Sequence, residues 1–287
     1  MRVSVSTRWL QLSTLAILAA LYVPAMVEMV DVWRTDTYAG HGMFVPLFSA
    51  LIVWIERDRL RAATGGGHPA GIAVILAGVG LLALGTLGQS LLMKGLSVAV
   101  VVAGLVMWSF GGGCLRAATF PVGFLVLMAP LPRAVVAAVT LKIQLFAAAF
   151  AASAVRLLDV PIYQTGVTIE LSSLTLQVAE ACNGLRFLMA LLVLTAAFAQ
   201  ATQRSVPRKM VLVAAAIPIA ILANATRVAA IALGVHYIGP EAASGTIHNW
   251  IGKGVWGLTL IPLILLGLLL ARTRSRTSSS RLKEKVA

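Results

Sequence analysis

Apolar runs follow one another along almost the whole of this chain, and that repetition constrains its fold more than any single motif. The runs cover residues 9–27, 41–55, 70–87, 91–110, 119–131, 134–158, 184–201, 210–234 and 250–271. A helix needs about 20 apolar residues to cross a bilayer, because the hydrocarbon core is about 30 Å thick and each residue rises about 1.5 Å. Hydrophobic residues make up 59% of the 287, charged residues only 11%, and the mean hydropathy is +0.93. Ordinary soluble domains have about 45–50% apolar and about 25% charged residues. A large soluble catalytic domain is excluded, and the expected fold is an all-α polytopic membrane protein. Any chemistry must come from a few polar residues at helix ends or inside the bundle.

Charge placement sets the sidedness. Basic residues cluster at Arg2 and Arg8, at Arg57, Arg59 and Arg61, at Arg116, at Arg204, Arg208 and Lys209, and in the C-terminal tail. The positive-inside rule assigns these clusters, and so both termini, to the cytoplasm. The number of crossings is then even. The first run follows Arg2 and Arg8 as a signal peptide would, but no small-residue cleavage site follows it, so it reads as a retained span. The run 119–131 is short and is broken by Pro130-Leu131-Pro132, so 119–158 is expected to make one net crossing with one part interfacial or re-entrant. About eight transmembrane helices result. Residues 28–40, 88–94, 159–181 and 235–249 then face outward.

Within 160–176, β-branched residues alternate around Gly166 and Ser172-Ser173, which predicts a short extracytoplasmic β-hairpin before the sixth helix. Residues 1–271 read as one transmembrane domain and 272–287 as a disordered basic cytoplasmic tail. The excess of 23 Lys and Arg over 10 Asp and Glu falls between spans rather than in a groove-lining patch. Anionic lipid headgroups account for it and nucleic acid does not.

The unusual polar residues concentrate on the outer side of the last three spans. Cys182 lies where the hairpin ends and the sixth helix begins, with Arg186 one turn deeper on the same face. The positive end of the helix dipole and the guanidinium both favour thiolate, the reactive form. The alternative is a small apolar packing residue. Arg227 sits about 10 Å inside the outer end of the seventh span by helical rise. An arginine at that depth costs several kcal/mol unless it faces a partner or a wet cavity, the alternative being a side chain that snorkels to the headgroups. Asn224, three residues earlier, shares its face. His248 opens the eighth span, again outside, where a lone histidine could equally be a satisfied interfacial residue.

Thiol, imidazole and guanidinium together suit acyl transfer, with a thiolate attacking a carbonyl, an imidazole moving protons and a guanidinium stabilising an oxyanion. No short metal-ligand spacing links Cys182, His248, His236 and His41, and neither a metal nor a cofactor is expected. His236 reads as the tip of an interfacial loop and Cys114 as an inert cytoplasmic-side thiol. Two other classes stay open on residues alone. One is a transporter or channel with intramembrane Arg227 on the substrate path, although no internal repeat is visible. The other is a non-catalytic membrane scaffold.

At these residues the sequence resembles the exosortase/archaeosortase family of polytopic transpeptidases. Ala181-Cys182-Asn183-Gly184-Leu185-Arg186 is similar to its cysteine box, usually Ala-Cys-Ser/Thr-Gly-Leu/Ile-Arg/Gln, and Asn224-Ala225-Thr226-Arg227 to its N-x-x-R box. His248 falls where the family has its histidine. The stretch WRTDTYAGHGMFVP (33–46) resembles the early W-x-x-D-x-x-Y-S-H-G-x-x-V-P signature, and Pro130-Leu131-Pro132 also fits. Asn183 stands where Ser or Thr is usual, and Ala39 where Ser is; neither change removes a presumed catalytic atom.

The resemblance implies a cysteine peptidase/transpeptidase in the bacterial cytoplasmic (inner) membrane, with its active site facing the periplasm. Its substrates would be exported proteins ending in a short motif such as Pro-Glu-Pro, a transmembrane helix and a basic tail, the PEP-CTERM arrangement. The new carboxyl end would pass to an acceptor, an exopolysaccharide or a lipid being candidates. Cys182 would be the nucleophile, Arg227 the transition-state stabiliser and His248 the acid/base, with Arg186 and Asn224 in support.

Overall fold

The computed structural model describes residues 5–171, 174–178 and 184–284. The chain forms two compact units, Met1–Arg133 and Ala134–Ala287, and both are mainly helical, as expected. Among the described residues, seven helices are long and apolar enough to cross a membrane: Leu12–Thr35, Ala70–Leu87, Leu91–Ala117, Arg133–Arg156, Gly184–Thr202, Val206–Tyr237 and Gly245–Arg272. The protein is a multi-pass membrane protein. Two apolar helical stretches, Gly40–Ile55 and Thr119–Met128, are shorter. The first accounts for the difference from the expected eight, because part of that run is spent on a tight turn.

The first unit contains α1 (Val5–Thr35), a 3-10 turn (Gly40–Met43), α2 (Phe44–Ile55), α3 (Arg57–Ala62), α4 (Ala70–Leu87), α5 (Leu91–Ala117) and α6 (Thr119–Phe124), which runs into a second 3-10 turn (Leu125–Met128). Helices α4 and α5 form a close hairpin. Gly71, Gly78 and Gly85 recur every seventh residue on one buried face of α4. A methyl at Gly78 would lie 2.5 Å from Val101 Cγ2, one at Gly85 2.9 Å from the Lys94 nitrogen, and one at Gly71 would collide with the Trp108 backbone. In lipid, where apolar burial between helices gains little, such backbone approach supplies the packing. Helix α1 packs on this pair through Leu18, Tyr22 and Ala25, and buried Lys94 forms an ion pair with Glu28 of α1.

The two stretches 33–46 and 130–132 prove to be neighbours in structure. The Trp33 indole N–H donates to the Met128 carbonyl at 3.0 Å, just before Pro130. Gly42 lies against the Trp33 ring, and any Cβ there would overlap it. Asp36 accepts the Tyr38 backbone N–H at 2.7 Å and fixes the bend between α1 and the 3-10 turn.

The second unit contains α7 (Arg133–Arg156), strands β1 (Ile162–Thr165), β2 (Thr168–Leu171) and β3 (Thr175–Gln177), then α8 (Gly184–Thr202), α9 (Val206–Tyr237), a 3-10 turn (Pro240–Ala243) and α10 (Gly245–Glu284). The predicted hairpin is present. Ile162 pairs with Leu171 and Thr165 with Thr168 across a turn through Gly166, whose φ is +60°. A third antiparallel strand extends it, pairing Ile169 with Leu176. Alternation puts Ile169, Leu171 and Leu176 on the buried face, where they meet Ala147, Ala148, Ala151 and Val155 of α7 and Ala225, Val228, Ala232 and Val235 of α9. The alanines of α7 let the sheet and α9 close on it with few voids.

Candidate active site

The C-terminal half of α9 presents two kinds of side chain. Ala225, Val228 and Ala232 enter the core beneath the sheet, while Asn224 and Arg227, three residues apart and so on one face, carry the polar groups. The chain then reverses. Gly239 (φ +124°) ends the helix, the 3-10 turn buries Ala242 against Gly234, and Gly245 (φ +70°) admits the chain to α10. L side chains rarely adopt such φ values, so glycine at these two places makes the reversal possible.

That reversal sets His248, in the first turn of α10, beside Arg227. Arg227 Nη2 and His248 Nε2 are 3.4 Å apart, and both residues are half-buried. A guanidinium can only donate, so Nε2 must present its lone pair and the ring proton sits on Nδ1. His248 Nδ1 is itself buried and has no hydrogen-bond partner among the described residues. Gly252, one turn further along α10, is the residue over which the guanidinium lies; a Cβ built there would be 3.8 Å from Arg227 Nε and 3.9 Å from Cζ.

Asn224 is 2% exposed, and neither its Oδ1 nor its Nδ2 has a partner among the described residues. A buried amide left in that state costs about 1–3 kcal/mol, which calls for an explanation. It packs against the start of α8, where a Cβ on Gly184 would lie 2.8 Å from Asn224 Nδ2 and 2.5 Å from Ile143 Cγ2 of α7.

The expected site residues are thus distributed unevenly. Arg227 and His248 touch, and Asn224 shares the Arg227 face. Arg186 lies in the first turn of α8 with its side chain exposed, and none of the described contacts links it to those three. Cys182 lies outside the described residues. Sequence reasoning missed Gly184 and Gly252. The available signal was spacing: Gly252 follows His248 by four residues and shares its face, and Gly184 lies within the cysteine box.

Depth follows from helix length. Gly184 stands 18 residues before Thr202, and Asn224 18 residues after Val206, on helices joined by a short turn. At about 1.5 Å per residue both lie about 27 Å from that turn, close to the thickness of a hydrocarbon core. The cluster therefore sits about one bilayer thickness away from the α8–α9 turn, which carries Arg204 and leads into Arg208 in the first turn of α9.

Elsewhere, His236 stacks edge-on against Tyr237 at the end of α9, with ring centroids 4.8 Å apart, and Cys114 is a buried free thiol on α5. Among the described residues, no three His, Cys, Asp or Glu side chains come together as metal ligands would.

No curated protein and no solved structure matches the chain. The family profile described as transmembrane exosortase does match, over residues 33–277. That stretch runs from Trp33 through the Arg227–His248 pair and beyond it. By this match the chain belongs to the transmembrane exosortase family, a membership that implies a membrane sorting peptidase or transpeptidase.

Proposed function

We propose that this protein is an integral-membrane cysteine transpeptidase that cleaves the C-terminal sorting signals of exported proteins through a thioacyl-enzyme intermediate. The observation that carries the reading is the Arg227–His248 contact at 3.4 Å, with Asn224 on the same face of α9 and Gly184, a residue of the cysteine box, packed against it. A proton acceptor, a cation and a thiol together suit acyl transfer.

In this mechanism the His248 Nε2 lone pair leaves Arg227 Nη2 and takes the Cys182 thiol proton, and the thiolate adds to the scissile carbonyl carbon. The carbonyl π pair moves to oxygen, where the Arg227 guanidinium meets it. Collapse breaks the C–N bond, and the leaving amine takes the proton from His248. An acceptor hydroxyl, amine or water then gives its proton to His248 and adds to the thioester, and the thiolate departs. Arg186, exposed in the first turn of α8, is suited to holding the substrate rather than reacting with it.

The site faces the periplasm in this reading, with both termini in the cytoplasm of a bacterial cell and Gly40–Ile55 providing the eighth crossing. The depth of the cluster supports it. A substrate held by its own transmembrane helix and basic tail exposes its first residues beyond the bilayer at one bilayer thickness from the cytoplasmic face, the height of Gly184 and Asn224.

The test is co-expression with an exported reporter ending in a Pro-Glu-Pro-type motif, a transmembrane helix and a basic tail. Cys182→Ala, Arg227→Ala and His248→Ala should each abolish processing while the enzyme stays at its normal level in the membrane. Processing that survives all three changes would overturn the proposal.

A further inference from the structure

We propose that Asn224 is itself a catalytic residue, its side-chain amide donating through Nδ2 to the oxyanion of the tetrahedral intermediate, and that Gly184 is glycine to leave that amide in place. The inference rests on reading Cys182 as the nucleophile and adds a second oxyanion donor to Arg227.

Three observations converge. Asn224 is 2% exposed and both polar atoms of its carboxamide lack partners among the described residues. Roughly 90% or more of buried polar groups are hydrogen-bonded in native structures, so an amide in this condition fits a group whose partner arrives with the reacting substrate. The carboxamide is also held sterically. At Gly184 a Cβ would come within 2.8 Å of Nδ2 and 3.1 Å of Cγ, and within 2.5 Å of Ile143 Cγ2. Only a hydrogen at position 184 leaves the amide where it is, and Ile143 gives it an apolar neighbour. A fixed donor in an apolar setting needs no reorganisation when charge develops, which makes oxyanion stabilisation strong. Finally, Gly184 belongs to the same sequence box as Cys182, so a residue of the nucleophile's own box packs on this amide. Asn224 and Arg227 share one face of α9 and offer a neutral donor and a charged donor to one oxygen.

The step balances without further reactants. The S–C bond forms, the carbonyl π pair becomes the oxyanion lone pair, and Asn224 Nδ2–H and the Arg227 guanidinium donate to it. Re-formation of the carbonyl expels the amine, which leaves with the proton held by His248.

The experiment uses the full-length protein in proteoliposomes with Cys114→Ala, so that Cys182 is the single thiol. Asn224→Asp, Asn224→Ala and Gly184→Ala are compared with this parent in two reactions at Cys182. One is single-turnover thioacylation by a membrane-anchored substrate peptide. The other is alkylation by iodoacetamide, a displacement at saturated carbon that forms no oxyanion. Removing one oxyanion donor costs about 10²–10³-fold in rate. Thioacylation should fall by that factor in both Asn224 variants and by at least tenfold in Gly184→Ala, with alkylation within threefold of the parent. Asn224→Asp keeps the shape of the side chain, so its result stands even if the alanine variants fold poorly. Thioacylation within threefold of the parent in Asn224→Asp would overturn the inference. So would a parallel loss of alkylation, which would mean that Asn224 only holds the Cys182 segment. A parent that processes substrate yet never carries an acyl group on Cys182 would instead overturn the nucleophile reading, and the inference with it.

Discussion

Arg227 on α9 and His248 on α10 meet at 3.4 Å although 21 residues and a chain reversal separate them. Two glycines of positive φ, Gly239 and Gly245, shape the reversal that brings them together. An arginine at the edge of the hydrocarbon core needs partners, and the reversal supplies His248 as one of them.

The identity of the cation should matter more than its charge. Arg227→Lys keeps the positive charge but loses the planar fork of donors that can hold neutral His248 before reaction and turn to an oxyanion during it. Processing of the membrane-tethered reporter should fall by about 10²-fold or more, with the amount of inserted protein unchanged on immunoblots of washed membranes.

His248→Gln keeps a side chain that can accept from Arg227 but cannot carry a proton through the reaction. A loss of about 10²–10⁴-fold in the rate of processing is expected, the range for a general acid/base. Time courses on purified enzyme measure it.

Space beside the guanidinium is the next requirement. At Gly252 a methyl group would make only ordinary contact with Arg227, 3.8 Å from Nε, so Gly252→Ala should process normally. Gly252→Leu must push the guanidinium off His248, and processing should drop by more than tenfold without loss of membrane insertion.

In the first unit, glycines on one helix should differ sharply in tolerance. Gly71→Ala drives a methyl into the Trp108 backbone, whereas nothing lies within 4 Å of a methyl at Gly80. Overpacking costs about 1–3 kcal/mol, while alanine in a helix is favoured over glycine by about 1 kcal/mol. Thermal unfolding in detergent should show a lowered midpoint for Gly71→Ala and an equal or higher one for Gly80→Ala.

Trp33→Phe removes the donor to the Met128 carbonyl and leaves that carbonyl buried. A destabilisation of about 1–3 kcal/mol follows, read in the same unfolding assay.

The helical architecture could be read from the sequence because lipid imposes a length and a composition on every span. The run at 41–55 was less legible. Composition cannot tell that its first residues form a 3-10 turn tied to Trp33 through Gly42, which leaves Phe44–Ile55 as the helix proper. The sheet was half visible. Alternation around Gly166 announced β1 and β2, but β3 has only three residues, too few for a periodic signal.

Chemistry at the site could be anticipated from Arg227 and His248, because each is out of place in an apolar helix, whereas their contact depends on the conformation of the 3-10 turn between α9 and α10. Gly184 was unremarkable in sequence for a different reason. Its significance lies in the distance to Asn224, 40 positions away in the chain, and a missing side chain carries no pattern of its own.

Whether Cys182 carries the acyl group can be read by mass spectrometry of the acid-quenched enzyme. After reaction with the tripartite reporter, the peptide containing Cys182 should carry the reporter fragment N-terminal to the cleaved bond as a hydroxylamine-labile thioester. The adduct should be absent from Cys182→Ala, which should leave the reporter uncleaved. Complete processing of the reporter by Cys182→Ala would rule out Cys182 as the nucleophile.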